Sequence, residues 1–153
     1  MKILFVCTGN TCRSPMAQAL AQKIFKDMNI KAQVSSAGIG ANPFDSASQN
    51  SILAMKNYDI DISNHKSKQI TKEIIDENDF ILTMTDAHKK FLCNKFDQAK
   101  GKIFTLSEFA CNDNYDIIDP FGADFEIYKK CADQIFSLIN IIAMNFNKGG
   151  DKK

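Results

Sequence analysis

Residues 1–20 read MKILFVCTGNTCRSPMAQAL, and the stretch Val6-Cys7-Thr8-Gly9-Asn10-Thr11-Cys12-Arg13-Ser14-Pro15 within it decides the fold. A short apolar run, Ile3 to Val6, reads as a buried strand and stops at Cys7. From Ser14 the spacing changes. Met16, Leu20, Ile24 and Met28 recur every fourth residue, with Ala17, Ala21 and Phe25 beside them, which predicts a helix over 14–28. Ser14 suits the N-cap and Pro15 the first helical turn. The stretch is therefore a strand, a tight turn and a helix start.

Such a junction aims backbone N–H groups, and the positive end of a helix dipole, at whatever sits above it. Successive turn amides form an anion-binding nest. Gly9 and Asn10 are the residues best able to take the left-handed conformations a nest needs. Arg13 adds a planar fork able to grip two oxygens of one phosphate. A cysteine beside an arginine at a helix N-terminus is favoured as the thiolate, the nucleophilic form. Cys7 thus lies at the base of a phosphate cradle, placed for in-line attack, and Ser14 is expected to cap the helix while donating its proton to the sulfur. The turn lacks the G-K-[ST] ending of a nucleotide P-loop and the GxGxxG of a dinucleotide fold.

The pattern repeats along the chain. Gln33–Ser36, Asp79–Met84 and Lys102–Leu106 read as further strands. Helices are expected over about 46–57, from near Thr71, after a cap at Thr85 or Asp86, and over Ala123–Phe146. Residues 112–124 (NDNYDIIDPFGAD) read as irregular. Strands of continuous apolar residues alternating with helices indicate an α/β fold: a parallel sheet covered on both faces, with ligands beyond the carboxyl ends of the strands.

The chain has 153 residues, 44% of them hydrophobic and 24% charged, enough for one domain over 1–147 with a frayed tail over 148–153. A formal net charge of +1 gives no reason to expect a nucleic acid or membrane partner. The most apolar stretch, Ile135–Phe146, is too short to span a bilayer and reads as a packed helix. Cys7, Cys12, Cys93, Cys111 and Cys131 make an odd set with no export signal ahead of them, as expected for reduced thiols in the cytoplasm. There is no CxxC, and His65 and His88 make no ligand spacing with the cysteines, so no metal and no cofactor are expected. Cys131 reads as a core thiol.

The segment FVCTGNTCRSPMAQ resembles the C-x5-R-S signature of the low-molecular-weight protein phosphatases. The similarity extends to SSAG after the second strand, FILTMTDAH on the third and IIDPFG before the last helix. It implies a flavodoxin-like, three-layer, four-stranded parallel sheet and a metal-free phosphocysteine mechanism on phosphorylated protein substrates. Carried over by position, Cys7 is the nucleophile and Arg13 the phosphate clamp. Thr8, Gly9, Thr11 and Cys12 complete the loop, and Asn10 shapes it with support from Ser14, Ser36 and His65. The leaving group needs a proton donor. By residue type Asp86, Asp116 and Asp119 are equal candidates, and the resemblance selects Asp119.

Within the family, phosphotyrosine members commonly carry a bulky aliphatic residue where this chain has Thr11, and an aromatic pair after Asp-Pro. Here Phe121 is followed by Gly122, and the loop Ser36–Pro43 contains no aromatic residue. CTGNTCRSPMA with DPFG is similar to the bacterial protein-arginine-phosphatase branch. Thr11 and Phe121 are therefore the expected selectors, with phosphoarginine preferred and phosphotyrosine second. Cys12, five residues from Cys7, could form a reversible disulfide with it or simply fill the underside of the loop. A thioredoxin-coupled arsenate reductase would need two closely spaced relay cysteines, but a whole expected strand separates Cys93 and Cys111. A phosphoprotein-binding module would not need both Cys7 and Asp119.

Overall fold

A computed structural model of the chain describes residues 1–151. Four strands, β1 (Lys2–Cys7), β2 (Gln33–Gly38), β3 (Phe80–Thr83) and β4 (Ile103–Thr105), form one parallel sheet in the order β2-β1-β3-β4. The helices are α1 (Arg13–Asp27), α2 (Gln49–Lys56), α3 (Lys72–Glu77), α4 (Asp86–Lys95), α5 (Leu106–Cys111) and α6 (Phe125–Asp151), with a 3-10 turn over Asp97–Lys102. This is the α/β architecture expected, with helices on both sides of the sheet.

Strand parity assigns each side chain to a layer, because successive residues point to opposite faces. From β1, Ile3, Phe5 and Cys7 join a core built with Met16, Leu20 and Ile24 of α1 and Ile135, Ile139 and Ile142 of α6. Leu4 and Val6 face the other way, onto Ile75 of α3, Leu92 of α4 and Ile103 of β4. Cys7 therefore ends the central strand on the α1/α6 side, just where the chain turns back into α1.

Several boundaries differ from the sequence reading for local reasons. The first helix begins at Arg13, with Cys12 at the cap position and no side-chain cap. Ser14 lies inside the first turn, and its hydroxyl is engaged elsewhere. Ser48 caps α2 by accepting from the Ser51 amide, so that helix starts later than expected. Thr85, not Asp86, caps α4. Helix α5 was absent from the expectation, although Thr105 and Glu108 form a full capping box at its start. Helix α6 continues through Asp151, beyond the boundary at 147 that the glycines suggest. Lys152 and Lys153, the rest of the expected tail, lie outside the described residues.

The buried stripe of α6 is a stability test. Ile139 is fully buried and Met144 is half exposed on the same helix. Ile139→Ala is expected to lower unfolding free energy by about 2–5 kcal/mol in urea titrations. Met144→Ala should stay within about 0.5 kcal/mol. Equal effects would mean that α6 does not bury this face.

Candidate active site

The turn between β1 and α1 is shaped by Asn10, which has φ 57° and is wholly buried. Asparagine tolerates this left-handed conformation better than most residues do. Gly9 does not take a positive φ, so the expectation of two left-handed residues holds for Asn10 alone. The Asn10 side chain spans the loop. Its Nδ2 donates to Ser14 Oγ at 2.8 Å and Ser36 Oγ at 3.0 Å, and its Oδ1 accepts from the Lys68 amide at 2.9 Å. Its carbonyl accepts from His65 Nε2 at 2.7 Å and Ser67 Oγ at 2.8 Å. Ser36 in turn donates to Gln18 Oε1 on α1 at 2.6 Å. Burial lowers the His65 pKa, which keeps the ring neutral.

Cys7 is 3% exposed and sits below this loop. Its Sγ accepts from the Asn10 amide at 3.3 Å and lies 2.8 Å from Ser14 Oγ. Because Ser14 Oγ already accepts from Asn10, its own hydrogen is free for the sulfur. That leaves Ser14 able to donate to Cys7, while its acceptor side serves Asn10 rather than the helix amides. Arg13 is 4% exposed, its Nη1 donating to the Ile117 carbonyl at 3.2 Å. Its Nη2 lies 3.7 Å from Asp119 Oδ2.

Over these groups lies an open cavity of about 240 Å³. It is lined by Cys7, Thr8, Gly9, Thr11, Cys12, Arg13, Asp119 and Phe121. The structure thus brings together the loop, the arginine and a carboxylate over a hundred residues away. Asn10, Ser14, Ser36 and His65 do not line the cavity; they brace it from beneath. Of the three candidate acids, only Asp119 reaches it. Asp86 pairs with Lys90 at 3.0 Å, and Asp116 accepts from the Asp86 amide at 2.9 Å. The Asp119 side chain is 61% exposed, and its Oδ1 accepts from the Phe121 amide in a tight turn.

Several supporting residues were not singled out from sequence. Cys131, correctly read as a core thiol, also donates to the Ile118 carbonyl at 3.3 Å, and burial pushes its pKa up to about 12, which keeps the proton for that bond. Gln134 holds the same loop through the Ile118 amide and the Asp116 carbonyl. Cys12 borders the cavity, its Sγ 3.4 Å from Tyr128 Oη and 3.6 Å from Ser48 Oγ. Gly38, the last residue of SSAG, backs the loop: a Cβ there would come within 2.6 Å of the Thr8 carbonyl and 3.0 Å of the Asn10 amide. Its presence in the quoted motif was the only available signal. His88 places Nε2 2.9 Å from Thr8 Oγ1. Among the described residues no group of three His, Cys, Asp or Glu is placed to hold a metal ion.

Comparison with known proteins decides the family. The family model for low molecular weight phosphotyrosine protein phosphatase matches residues 2–150. The chain belongs to this family. A protein-arginine-phosphatase of Bacillus subtilis is 38% identical over 148 residues, covering 97% of this chain and 98% of the relative. That of Geobacillus stearothermophilus is 42% identical over 142 residues, 93% of each. The solved structure of the YwlE arginine phosphatase from Geobacillus stearothermophilus superposes with a TM-score of 0.93 at 38% identity, covering 99% of this chain and 96% of that one. A low molecular weight protein-tyrosine-phosphatase, PtpB of Staphylococcus haemolyticus, is 36% identical over 145 residues, 95% of this chain and 99% of the relative. The chain that carries the site described above is thus a low-molecular-weight protein phosphatase.

Two outcomes are expected. Gly38→Ala should push on the backbone of Thr8 and Asn10 and lower turnover at least about tenfold, whereas Gly9→Ala, whose Cβ would meet only Thr11 Oγ1 at 3.7 Å, should fold normally. Equal activity of Gly38→Ala and wild type would remove the steric role. The second concerns acid. Burial and the Arg13 charge push His88 down to about 4 from an ordinary 6.5. Between those values the unfolded chain binds more protons, so stability is full above about pH 6.5 and falls as pH drops toward 4. Urea midpoints over that range should fall less steeply in His88→Gln than in wild type; identical slopes would show that His88 is not held neutral.

Proposed function

We propose that this low-molecular-weight phosphatase removes phosphoryl groups from phosphoarginine in proteins, with phosphotyrosine the poorer donor, through a phosphocysteine on Cys7. The observation that carries the donor choice is the cavity wall. Thr11 offers a hydroxyl and little bulk, Asp119 a carboxylate, and the single aromatic lining residue is the highly exposed Phe121. Phe44 follows the expected aromatic-free loop, but it is 78% exposed and does not line the cavity. An aryl phosphate gains most from an apolar slot gripping both ring faces. A planar guanidine, rich in N–H donors, fits oxygen acceptors better. The protein-arginine-phosphatase relatives support the same choice.

In the first step the thiolate of Cys7 attacks phosphorus in line. The S–P bond forms, the P–N bond breaks, and the departing nitrogen takes the electron pair and a proton from Asp119. Loop amides and Arg13 hold the equatorial oxygens while charge redistributes. The Ser14 hydroxyl donates to Sγ, which makes sulfur a better leaving group in the second step. There Asp119 takes a proton from water, the new O–P bond forms, the S–P bond breaks, and inorganic phosphate departs. A related YwlE structure, a cysteine-to-serine mutant with its active-site serine phosphorylated, supports covalent transfer to this position. A cysteine that must act as a thiolate nucleophile needs a reducing compartment such as the cytoplasm. No helix among the described residues is long and apolar enough to cross a membrane.

A tyrosine phosphatase is the second reading, favoured by Phe121, whose exposed ring borders the cavity and could stack on a phenyl group. An arsenate reductase relay finds no support. Cys93 packs with the core on the α3/α4 side, while Cys111 ends α5, which packs with α6 on the opposite side.

Turnover of matched phosphoarginine and phosphotyrosine peptides separates the readings. Wild type should favour phosphoarginine, and Thr11→Ile should cut that preference by at least about tenfold. Asp119→Asn should lower kcat by about 10²–10⁴, and Cys7→Ser should abolish turnover. Faster phosphotyrosine turnover that ignores Thr11→Ile would assign the chain to the tyrosine phosphatases.

A further inference from the structure

The mechanism leaves one buried ring beside the cavity without a task. His88, on the first turn of α4, is 5% exposed. Its backbone amide is taken by the Thr85 cap at 3.1 Å. Its ring Nε2 lies 2.9 Å from Thr8 Oγ1, and Nδ1 is buried without a hydrogen-bond partner among the described residues. At neutral pH the ring is uncharged, because burial and the nearby Arg13 disfavour the cation.

An uncharged imidazole carries one N–H and one bare nitrogen. A proton on Nδ1 would be a buried donor with nothing to accept it, and orphaned buried N–H groups are rarer than under-satisfied acceptors. A proton on Nε2 is satisfied by Thr8. The favoured arrangement therefore has Nε2–H donating to Thr8 Oγ1. The hydroxyl has only one hydrogen, and it is then not spent on His88. Thr8 borders the cavity immediately after the nucleophile. A phosphoguanidine offers acceptors there chiefly at its phosphoryl oxygens, since its nitrogens carry N–H donors.

We propose that His88 is a positioning residue: by donating to Thr8 Oγ1 it leaves the Thr8 hydroxyl as a proton donor into the cavity, directed at an oxygen of the phosphoryl group. The pair adds a neutral donor to those of the loop amides and Arg13. This rests on the phosphatase reading of the same cavity.

Two measurements test it. Nitrogen-15 NMR of the histidine rings at neutral pH, on the wild-type protein, should place the His88 proton on Nε2; a proton on Nδ1 overturns the proposal without any variant having to fold. The second is a double-mutant cycle read as kcat/KM on a phosphoarginine peptide and as the inhibition constant of inorganic phosphate. A hydrogen bond to a charged group typically corresponds to a change of about tenfold or more. Thr8→Val and His88→Leu should each weaken both quantities by about that factor, and His88→Gln, which restores an N–H near the same place, should recover most of the loss. In the Thr8→Val background His88→Leu should cost less than about twofold. A His88→Leu loss that persists undiminished without the Thr8 hydroxyl, or a His88→Leu protein that matches wild type, overturns it. Wild-type protein that turns over neither phosphoamino acid would instead overturn the phosphatase reading, while NMR and phosphate affinity would still read the Thr8 donor.

Discussion

Asn10 ties the phosphate loop to the rest of the molecule. Its left-handed backbone turns the chain, its side chain reaches Ser14, Ser36 and the Lys68 amide, and its carbonyl receives His65 and Ser67. These partners come from α1, β2 and the loop before α3. Without them the turn after Cys7 would have no reason to hold one shape, because a turn of this length has many accessible conformations. The knot is buried, so each unmade bond would leave a polar group unsatisfied away from water. Loop rigidity is thus enforced by polar satisfaction rather than by apolar packing.

The consequence for chemistry is preorganisation. Donors already fixed around Cys7 need not reorganise as charge moves onto the phosphoryl oxygens. Arg13 is held by the Ile117 carbonyl on its inner edge and meets Asp119 on its outer one, so guanidinium and carboxylate share a common support. That support extends to α6, where Cys131 and Gln134 hold the Ile118 peptide. Asp119 stands exposed at the rim of the cavity, whereas Cys7 lies buried at its floor. Two groups with opposite needs share one cavity because they come from opposite ends of the chain.

Much of this was legible in the sequence where the signal was local. The apolar run ending at Cys7, the four-residue spacing of Met16, Leu20 and Ile24, and the Gly-Asn turn sufficed for strand, helix and cradle. Ser14 misled as a cap because Asn10, four residues earlier, claims its lone pair, a contact no propensity encodes. Helix α5 was readable from Thr105 and Glu108, but a short apolar strand beside it drew attention to Lys102–Leu106. Gly38, Ser67 and His88 were not legible from local pattern, since what matters is which distant parts of the chain the fold brings against them. Asp119 was selected by resemblance alone, and of the three candidates it is the one that lines the cavity.

On the proposed reading, Cys7 carries the phosphoryl group taken from arginine. The most direct measurement is to mix the wild-type protein rapidly with a phosphoarginine peptide. Acid quenching within the first turnover, followed by mass spectrometry, then locates the phosphoryl group. One phosphoryl group is expected on the peptide containing Cys7, formed as free arginine peptide appears. Dephosphorylated peptide with no phosphoryl group on Cys7, or with one on another residue, would contradict it.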